Sequence, residues 1–394
     1  MDTDLDNSKS AEAPHGAQTS SSTQPQPDPV KSAHEVASAI RKWAVNCNLC
    51  SALPHGAEDL LLASVPPAVF SDEQEAYIRS RGVTSIAFNN AEGKVCIYTK
   101  RRVTKSKLNA LPNFIDGCAI EYPQGHVDEL VEGPIQAQAA SYIIYANPAG
   151  GRFYSCGSSV SPGNAPSAGT MGALVRDQAG AIFGLSNNHV TGSCSHSPPN
   201  LPILAPGVAD VAPNGLNPFT IGLHHKSLAM EAGAAGNVDI FANKDAAVFR
   251  IVNVDSVTSM QRDVYDTPNI VETPSVGMSV EKVGRTTGHT KGKIVGQELM
   301  PVLVGVDAPT YQFRAFIYFS NVFVVHGDGD YFSDNGDSGA LVVCRKPDGA
   351  ISAIGMIFAG GPDSGAPGNK KSLVLPLQPI LDDLGVTLVH GHNV

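Results

Sequence analysis

The sequence contains no run of about 18 apolar residues, the length that a membrane-spanning helix needs. We therefore expect no transmembrane segment and no membrane partner. Residues 1–6 supply neither the basic region nor the apolar stretch of an ordinary secretory signal, which indicates a cytoplasmic protein. Basic residues form no large cluster and the formal net charge is −10, so we expect no nucleic-acid partner.

Cysteine is also scarce. The chain has seven cysteines, an odd number that cannot pair completely within one molecule. Without a secretory signal, we expect them to be reduced thiols. Cys47 and Cys50 form a single C-x-x-C, which without a second pair is a weak indication of a zinc or redox site. We predict no metal ion and no other cofactor.

Glycine and proline are abundant, with 39 and 28 residues, as is typical of a β-rich fold with many turns. Hydrophobic residues make up 42% of the chain and charged residues 16%, a globular balance that allows a sizeable core. Residues 1–31 are rich in Ser, Thr, Gln and Pro and are predicted to form a disordered tail.

Two further regions follow the tail. Residues 32–148 are predicted to form a small α/β module, because capping boxes at Ser32 and Ser71 start two helices and strands follow at 83–88 and 95–98. The stretch 147–167, dense in Gly, Pro and Ser, indicates a boundary or a long connector. Residues 149–394 contain short apolar runs separated by turns, which predict an all-β barrel or sandwich, and end in a helix at 377–384.

Ser338 lies in the run Gly336-Asp337-Ser338-Gly339, whose glycines suit a tight loop that lets a substrate approach the backbone. A serine hydroxyl is a poor nucleophile at neutral pH unless a positioned base removes its proton. In such a loop we expect the N–H groups of Gly336 and Ser338 to form an oxyanion hole. Taken alone, however, the run is equally typical of a surface turn.

His189 and Asp245 are the candidate base and orienting carboxylate. His189 follows a predicted strand at 182–186, and Asp245 precedes the apolar residues 246–249. A carboxylate that enters a buried strand needs a partner, which the Nδ1–H of His189 would provide. The order His189, Asp245, Ser338 is one of those known for the serine triad. Asp239 is the competing candidate for the carboxylate.

Several motifs resemble the trypsin-like peptidases of the chymotrypsin superfamily, in particular the intracellular branch that includes the plant Narrow Leaf proteins. They are GTMGALV at 169–175, LSNNHV at 185–190, PILAPG at 202–207, VGRTTGHTKG at 283–292 and GMIFAG at 355–360. The resemblance runs from about residue 83 to the C-terminus. It implies a mainly β fold with a chymotrypsin-like double β-barrel, and it includes the preceding α/β module in the family's architecture.

The resemblance also implies roles for individual residues. It assigns the triad to His189, Asp245 and Ser338, with the oxyanion hole at Gly336 and Ser338. It further implies that four residues bind the substrate: Phe332, Phe358, Ala359 and Gly360.

The chain departs from the trypsin pattern in two respects. Phe332 stands six positions before the nucleophile, where trypsins have an aspartate, so we expect an apolar or small side chain at the substrate's P1 position. Secreted trypsins pair a new N-terminal amine with the aspartate before the serine, yet no activation cleavage site is recognisable here. Asp337 would therefore need another partner, and we expect constitutive activity.

The residues and the resemblance together predict a serine endopeptidase that hydrolyses protein or peptide substrates through an acyl-enzyme intermediate. The alternative is a catalytically weak or inactive peptidase-fold protein that acts as a peptide-binding or scaffolding module. Hydrolysis of a small ester is a lesser variant of the same chemistry. Homo-oligomer formation is left open.

Overall fold

The computed structural model describes residues 31–50, 52–53, 70–126, 137–138, 140–233 and 239–394. The predicted disordered tail at 1–31 lies outside these ranges except for its last residue. Within them, no helix has both the length and the apolar composition that crossing a membrane requires. All seven cysteines fall in the described ranges and are free thiols.

The two capping boxes predicted from the sequence are confirmed. The Ser32 side chain accepts a hydrogen bond from the N–H of Glu35, and Ser71 does the same for Gln74. Each box satisfies backbone N–H groups that the first helical turn leaves without partners. The α-helices of the described ranges are α1 (Ala33–Asn46), α2 (Asp72–Arg81), α3 (Lys105–Leu108) and α4 (Leu377–Leu384).

Strands dominate the rest of the chain. The first eleven are β1 (Val83–Asn89), β2 (Lys94–Thr99), β3 (Phe114–Ile115), β4 (Cys118–Glu121), β5 (Ile144–Ala146), β6 (Arg152–Cys156), β7 (Ser158–Pro162), β8 (Gly169–Met171), β9 (Ala173–Asp177), β10 (Ile182–Ser186) and β11 (Pro202–Ala205). The next seven are β12 (Phe219–Ser227), β13 (Ala247–Ile251), β14 (Val257–Gln261), β15 (Tyr265–Asp266), β16 (Ser279–Gly284), β17 (Gly288–Glu298) and β18 (Val302–Ala308). The last six are β19 (Phe313–Phe319), β20 (Phe323–Gly327), β21 (Leu341–Arg345), β22 (Ile351–Pro362), β23 (Lys370–Pro376) and β24 (Val386–Leu388).

Six strands close into the C-terminal barrel. They pair in the order β16-β21-β22-β23-β20-β17, and β17 pairs again with β16, so this barrel has no free edge. Its interior includes the buried side chains of Ile294, Val325, Phe332 and Val342. Each apolar side chain of this size contributes about 1.5–3 kcal/mol when it is fully buried.

The first barrel is formed by an eight-stranded sheet with the order β24-β9-β10-β13-β12-β11-β7-β8. The sheet curves round so that β8, at one end of this order, continues through Gly172 into β9, the strand next to the other end. The N–H of Gly172 donates to the oxygen of Leu185 in β10 at 2.8 Å. Leu174, Ile203 and Phe249 fill its core. The predicted chymotrypsin-like double β-barrel is therefore confirmed.

The region before the barrels packs α1 against β1 and β2, with Val36, Ile40 and Trp43 buried on one face of the helix. β1 also pairs with β17, in the register Ala87 with Glu298. The sheet of the C-terminal barrel thus continues into this region. The boundary at residue 148 stays a prediction.

The interpretation of 147–167 as a connector is wrong, because this stretch contains β6 and β7. The composition is poor in strand formers, yet β7 is fully buried and pairs with both β8 and β11. Barrel closure supplies the hydrogen bonds that strand propensity alone does not predict.

Candidate functional site

The three triad candidates come from three different segments around the two barrels. His189 lies on a π-helical turn, Asn188–Gly192, that directly follows β10. Asp245 precedes β13, which pairs with β10. Ser338 lies in the loop that leads into β21 of the C-terminal barrel. Neighbouring strands therefore bring His189 and Asp245 together, and the second barrel supplies Ser338.

His189 and Asp245 are in direct contact. Nδ1 of His189 is hydrogen-bonded to Oδ2 of Asp245, and the backbone N–H of His189 donates to Oδ1 of the same carboxylate at 2.9 Å. The amide of Asn187 donates to the backbone oxygen of Asp245 at 2.6 Å. Asp245 is fully buried, and the His189 side chain is 6% exposed. The carboxylate thus fixes the imidazole through its Nδ1 edge, which directs Nε2 away from Asp245.

The competing carboxylate takes a different position. Asp239 is exposed, and its Oδ1 accepts a hydrogen bond from the N–H of Phe241 at 2.9 Å in a local turn. The structure therefore joins His189 to Asp245 rather than to Asp239.

The Ser338 loop packs against the first barrel beside the His189 turn. The N–H of Thr170 donates to the backbone oxygen of Ser338 at 2.9 Å. Gly339 has a φ of +94°, and a Cβ there would lie 2.3 Å from the oxygen of Thr170 and 2.6 Å from Oγ of Ser186. It would also lie 3.4 Å from the backbone nitrogen of Asn187, two residues before His189. Only glycine allows this approach, which brings the loop next to the turn that carries the imidazole.

The predicted oxyanion-hole donors are available. Gly336 has a φ of +95°, and the backbone N–H groups of Gly336 and Ser338 donate no hydrogen bond to any other described residue. The peptide group that carries the Gly336 N–H is held at its oxygen, because the backbone oxygen of Asn335 accepts from Oγ1 of Thr286 at 2.6 Å. The next peptide group is held as well, since the backbone oxygen of Gly336 accepts from Oγ1 of Thr170 at 2.9 Å. Two preorganised N–H groups beside a serine can stabilise an oxygen that becomes negative.

Asp337 has the partner that the sequence left open. Nζ of Lys282, on β16, lies 3.1 Å from Oδ2 of Asp337, and both side chains are fully buried. The carboxylate also accepts hydrogen bonds from Oγ1 of Thr287 at 2.6 Å and from the N–H of Thr286 at 2.7 Å. The charge of the residue before Ser338 is therefore balanced inside the folded barrel.

The same contacts set the pKa of Asp337. Burial alone would raise this pKa, but the Lys282 charge, the Thr287 hydroxyl and two backbone N–H groups lower it below its ordinary value. Burial lowers the pKa of Lys282, which the Asp337 carboxylate opposes. The carboxylate of Asp337 is consequently held in its charged form at neutral pH.

A second buried ion pair lies next to the loop that carries Ser338. Nε of Arg285 donates to Oδ2 of Asp210 at 2.9 Å, and both residues are almost completely buried. Arg285 directly precedes Thr286, whose hydroxyl donates to the backbone oxygen of Asn335 at 2.6 Å. A Cβ on Gly336 would lie 2.8 Å from Nη1 of Arg285. The ion pair of Arg285 with Asp210 therefore connects the first barrel to the segment that contacts Asn335 and Gly336 in the Ser338 loop.

The residues predicted to bind the substrate come from the segment before the Ser338 loop and from β22. Phe332 is fully buried in the core of the C-terminal barrel, and its backbone oxygen accepts from Oγ1 of Thr290 at 2.7 Å. On β22, Phe358 is fully buried against Phe319, whereas Ala359 is 6% exposed and Gly360 is half-buried. β22 also contacts the loop through Ile357, whose oxygen accepts from the N–H of Gly339 at 2.9 Å. Their role toward a substrate stays a prediction.

Sequence reasoning missed Thr170, Lys282 and the pair of Arg285 with Asp210. Lys282 carried only a weak signal, because Ser279 and Glu281 lie in the same strand and its burial could not be predicted from the neighbouring residues. Thr170 carried no comparable signal, since its role depends on contacts with residues 166 and 168 positions away.

Part of the chain is similar to the Narrow Leaf proteins. Residues 227–373 match the family of Nal1 C-terminal domains. The rice protein NARROW LEAF 1 (Oryza sativa subsp. japonica) is 26% identical over an alignment of 218 residues that covers 50% of this chain and 35% of the rice protein. The match thus spans about a third of the relative's own length.

Solved structures similar to this chain include bacterial proteases. Protease A of Thermobifida fusca covers 60% of this chain and 98% of its own at 18% identity, with a TM-score of 0.39. Nocardiopsis protease covers 59% and 97% at 16% identity, with a TM-score of 0.38. Cellulomonas bogoriensis chymotrypsin covers 60% and 97% at 16% identity, with a TM-score of 0.37. From its sequence relationships, the chain resembles the Narrow Leaf proteins, as its motifs predicted.

Proposed function

We propose that the protein is a serine endopeptidase. Oγ of Ser338 attacks the carbonyl carbon of the scissile peptide bond, and its proton moves to Nε2 of His189. When the tetrahedral intermediate collapses, the C–N bond breaks and His189 returns that proton to the leaving amine. A water molecule, deprotonated by His189, then hydrolyses the acyl-enzyme and regenerates the Ser338 hydroxyl.

Asp245 orients the base in this scheme. It holds the proton of His189 on Nδ1, which leaves Nε2 as the basic atom, and it stabilises the imidazolium that forms. Because the carboxylate is completely buried, water does not compete for this hydrogen bond.

The oxyanion of the tetrahedral intermediate would accept hydrogen bonds from the N–H groups of Gly336 and Ser338. Donors of this kind typically lower the barrier by about 3 kcal/mol each, since they are positioned before the charge develops. The ion pair of Lys282 with Asp337 supports activity of the intact chain, because it holds the loop without a new N-terminal amine.

One observation carries the proposal. The buried contact between His189 and Asp245 lies beside a glycine-flanked serine loop, whose backbone is fixed to the same barrel by Thr170. A surface turn, the competing interpretation of the Ser338 run, would need none of these contacts.

Turnover of a proteome-derived peptide library tests the proposal. Wild-type protein should cleave peptides, and Ser338→Ala should lower turnover by a factor on the order of 10⁶. Ser275→Ala is the matched control, because Ser275 is an exposed turn serine before β16, and it should retain wild-type turnover.

The same experiment addresses the alternative of a peptide-binding module. Equal turnover by wild type and Ser338→Ala would contradict the proposal. If neither protein cleaves but both bind library peptides with the same affinity, the peptide-binding function replaces the peptidase.

A further inference from the structure

A cavity lies beside His189, between the first barrel and the turn that joins β18 to β19. Its walls come from the 165–168 loop, from the turn that carries His189, and from the turn between β18 and β19, called the hairpin turn below. Six of the lining residues have aliphatic or proline side chains: Ala165, Pro166, Ala168, Val190, Ala308 and Pro309. The only carboxylate among the described lining residues belongs to Asp307, at the end of β18.

The hairpin turn is fixed to the first barrel. The amide of Asn164 donates to the hydroxyl of Tyr311 at 3.0 Å. The ring of His196 stacks on Tyr311 with centroids 5.5 Å apart, and it packs on Phe313 at 4.4 Å. Sγ of Cys194 contacts the backbone oxygen of Asp307 at 3.3 Å. Because contacts from the first barrel hold the turn at several points, the cavity is formed before any ligand enters.

The Asp307 side chain makes no hydrogen bond or close ion pair with any other described residue, although it is partly buried. Its cross-strand neighbour is the exposed Arg314. Burial raises the pKa of Asp307, and the charges of Arg314 and His189 oppose this effect. A carboxylate that has lost part of its water gains most from a cation that reaches it through the cavity.

We propose that this cavity binds a lysine or arginine side chain of the substrate, and that Asp307 determines the specificity for it. The methylene groups of such a side chain would pack on the aliphatic walls while its charged end pairs with the carboxylate. Lysine and arginine match both the aliphatic walls and the carboxylate, whereas the Asp307 carboxylate would repel an acidic side chain. This inference rests on the proposed peptidase function and adds a substrate class to it.

The cavity is separate from the region predicted to hold the P1 side chain. Among the described residues, its lining includes His189 but none of Phe332, Phe358, Ala359 and Gly360. The basic residue would therefore occupy a position close to the scissile bond other than P1. The P1 preference for an apolar or small side chain is unaffected.

Positional scanning with fluorogenic peptides tests the inference. Each position around the scissile bond carries Lys, Gln or Glu in turn, and kcat/KM is measured. Wild type should favour Lys over Gln at one position, and Asp307→Asn should lower that ratio about tenfold, as expected for a hydrogen-bonded charge pair. Asp307→Lys should favour Glu at the same position. Asp348→Asn removes one exposed carboxylate in the turn after β21 and should leave the ratio unchanged.

Binding to Ser338→Ala separates this inference from the peptidase function. Fluorescence anisotropy with the same Lys, Gln and Glu peptides needs no turnover. One outcome is that wild type cleaves no peptide, whereas Ser338→Ala binds Lys peptides about tenfold more tightly than Gln peptides and Ser338→Ala/Asp307→Asn does not. In that case the peptidase function fails and the cavity assignment stands. The assignment is overturned if Asp307→Asn changes neither the ratio of kcat/KM for Lys and Gln peptides nor the ratio of their binding affinities.

Discussion

Lys282 and Asp337 form a buried ion pair directly beside Ser338, with Nζ 3.1 Å from Oδ2 and both side chains fully inaccessible to solvent. The lysine is an internal residue of β16, so the pair forms when the barrel folds. Under the proposed function, a loop held in this way would need no new N-terminal amine to balance the charge of Asp337. Constitutive activity stays a prediction.

Replacing Lys282 should damage both the fold and the loop. Lys282→Met leaves Asp337 as an uncompensated buried charge, which typically costs about 3–5 kcal/mol of stability. We expect a lower melting temperature, together with reduced kcat at temperatures where the variant is still folded. Calorimetry and peptide turnover measure the two effects.

The double variant Lys282→Met/Asp337→Asn is the control. It removes both charges while it keeps a hydrogen-bonding side chain at 337, so it should recover a large part of the lost stability. If Lys282→Met alone melts and turns over like wild type, the ion pair does not hold the loop.

Gly336→Ala should reduce catalysis much more than stability. The residue has a positive φ, and a Cβ there would lie 2.5 Å from Oγ1 of Thr286, so the peptide group that offers the oxyanion N–H must shift. Loss of one such donor typically lowers kcat about 100-fold or more. Steady-state kinetics on a cleaved peptide measures this effect.

Gly349→Ala provides a matched comparison. Gly349 also has a positive φ, +87°, but a Cβ there would meet no atom within 4 Å. We expect a small loss of stability from backbone strain and unchanged kcat. Equal kinetic losses in the two variants would show that the Gly336 effect is general strain rather than loss of the donor.

Asp363 should make stability depend on pH in the acid range. Its buried carboxylate accepts hydrogen bonds from the hydroxyl of Tyr98 and from Nε2 of His326, both at 2.9 Å. Burial alone would raise its pKa, but the bonds from His326 and from the N–H of Gly365 lower it below the ordinary value. Its contribution to stability is therefore complete above the unfolded pKa of about 4 and is lost as the pH falls through the folded pKa.

The measurement compares the melting temperatures of wild type and Asp363→Asn from pH 7 to pH 3. Wild type should melt higher at pH 7, and the difference should shrink as the pH drops below about 4. A difference that stays constant over this range would mean that Asp363 contributes through packing rather than charge.

Elements defined by local chemistry were predictable from the sequence. The capping boxes at Ser32 and Ser71 each involve residues three positions apart, and the helix at 377–384 ends at the glycine that follows it. His189 and Asp245 stood out because each lies next to an apolar strand, and Ser338 stood out because glycines flank it in the run 336–339. Strand β7 was not predictable in this way, because three of its five residues are serine and one is proline, which are poor strand formers by themselves.

Features that depend on long-range contacts could not be predicted in this way. Nothing in the sequence indicated that the turn between β18 and β19 would reach the cavity beside His189. A buried lysine at 282 called for an anionic partner, yet the chain offers many carboxylates. Folding selects Asp337, which is 55 residues away.

The most direct test of the account is the site at which a fluorophosphonate probe reacts. The account predicts that mass spectrometry locates the adduct on Ser338 in wild type, and that labelling is abolished in Ser338→Ala and strongly slowed in His189→Ala and Asp245→Asn. Labelling of another residue, or equal labelling rates in wild type and His189→Ala, would contradict the account.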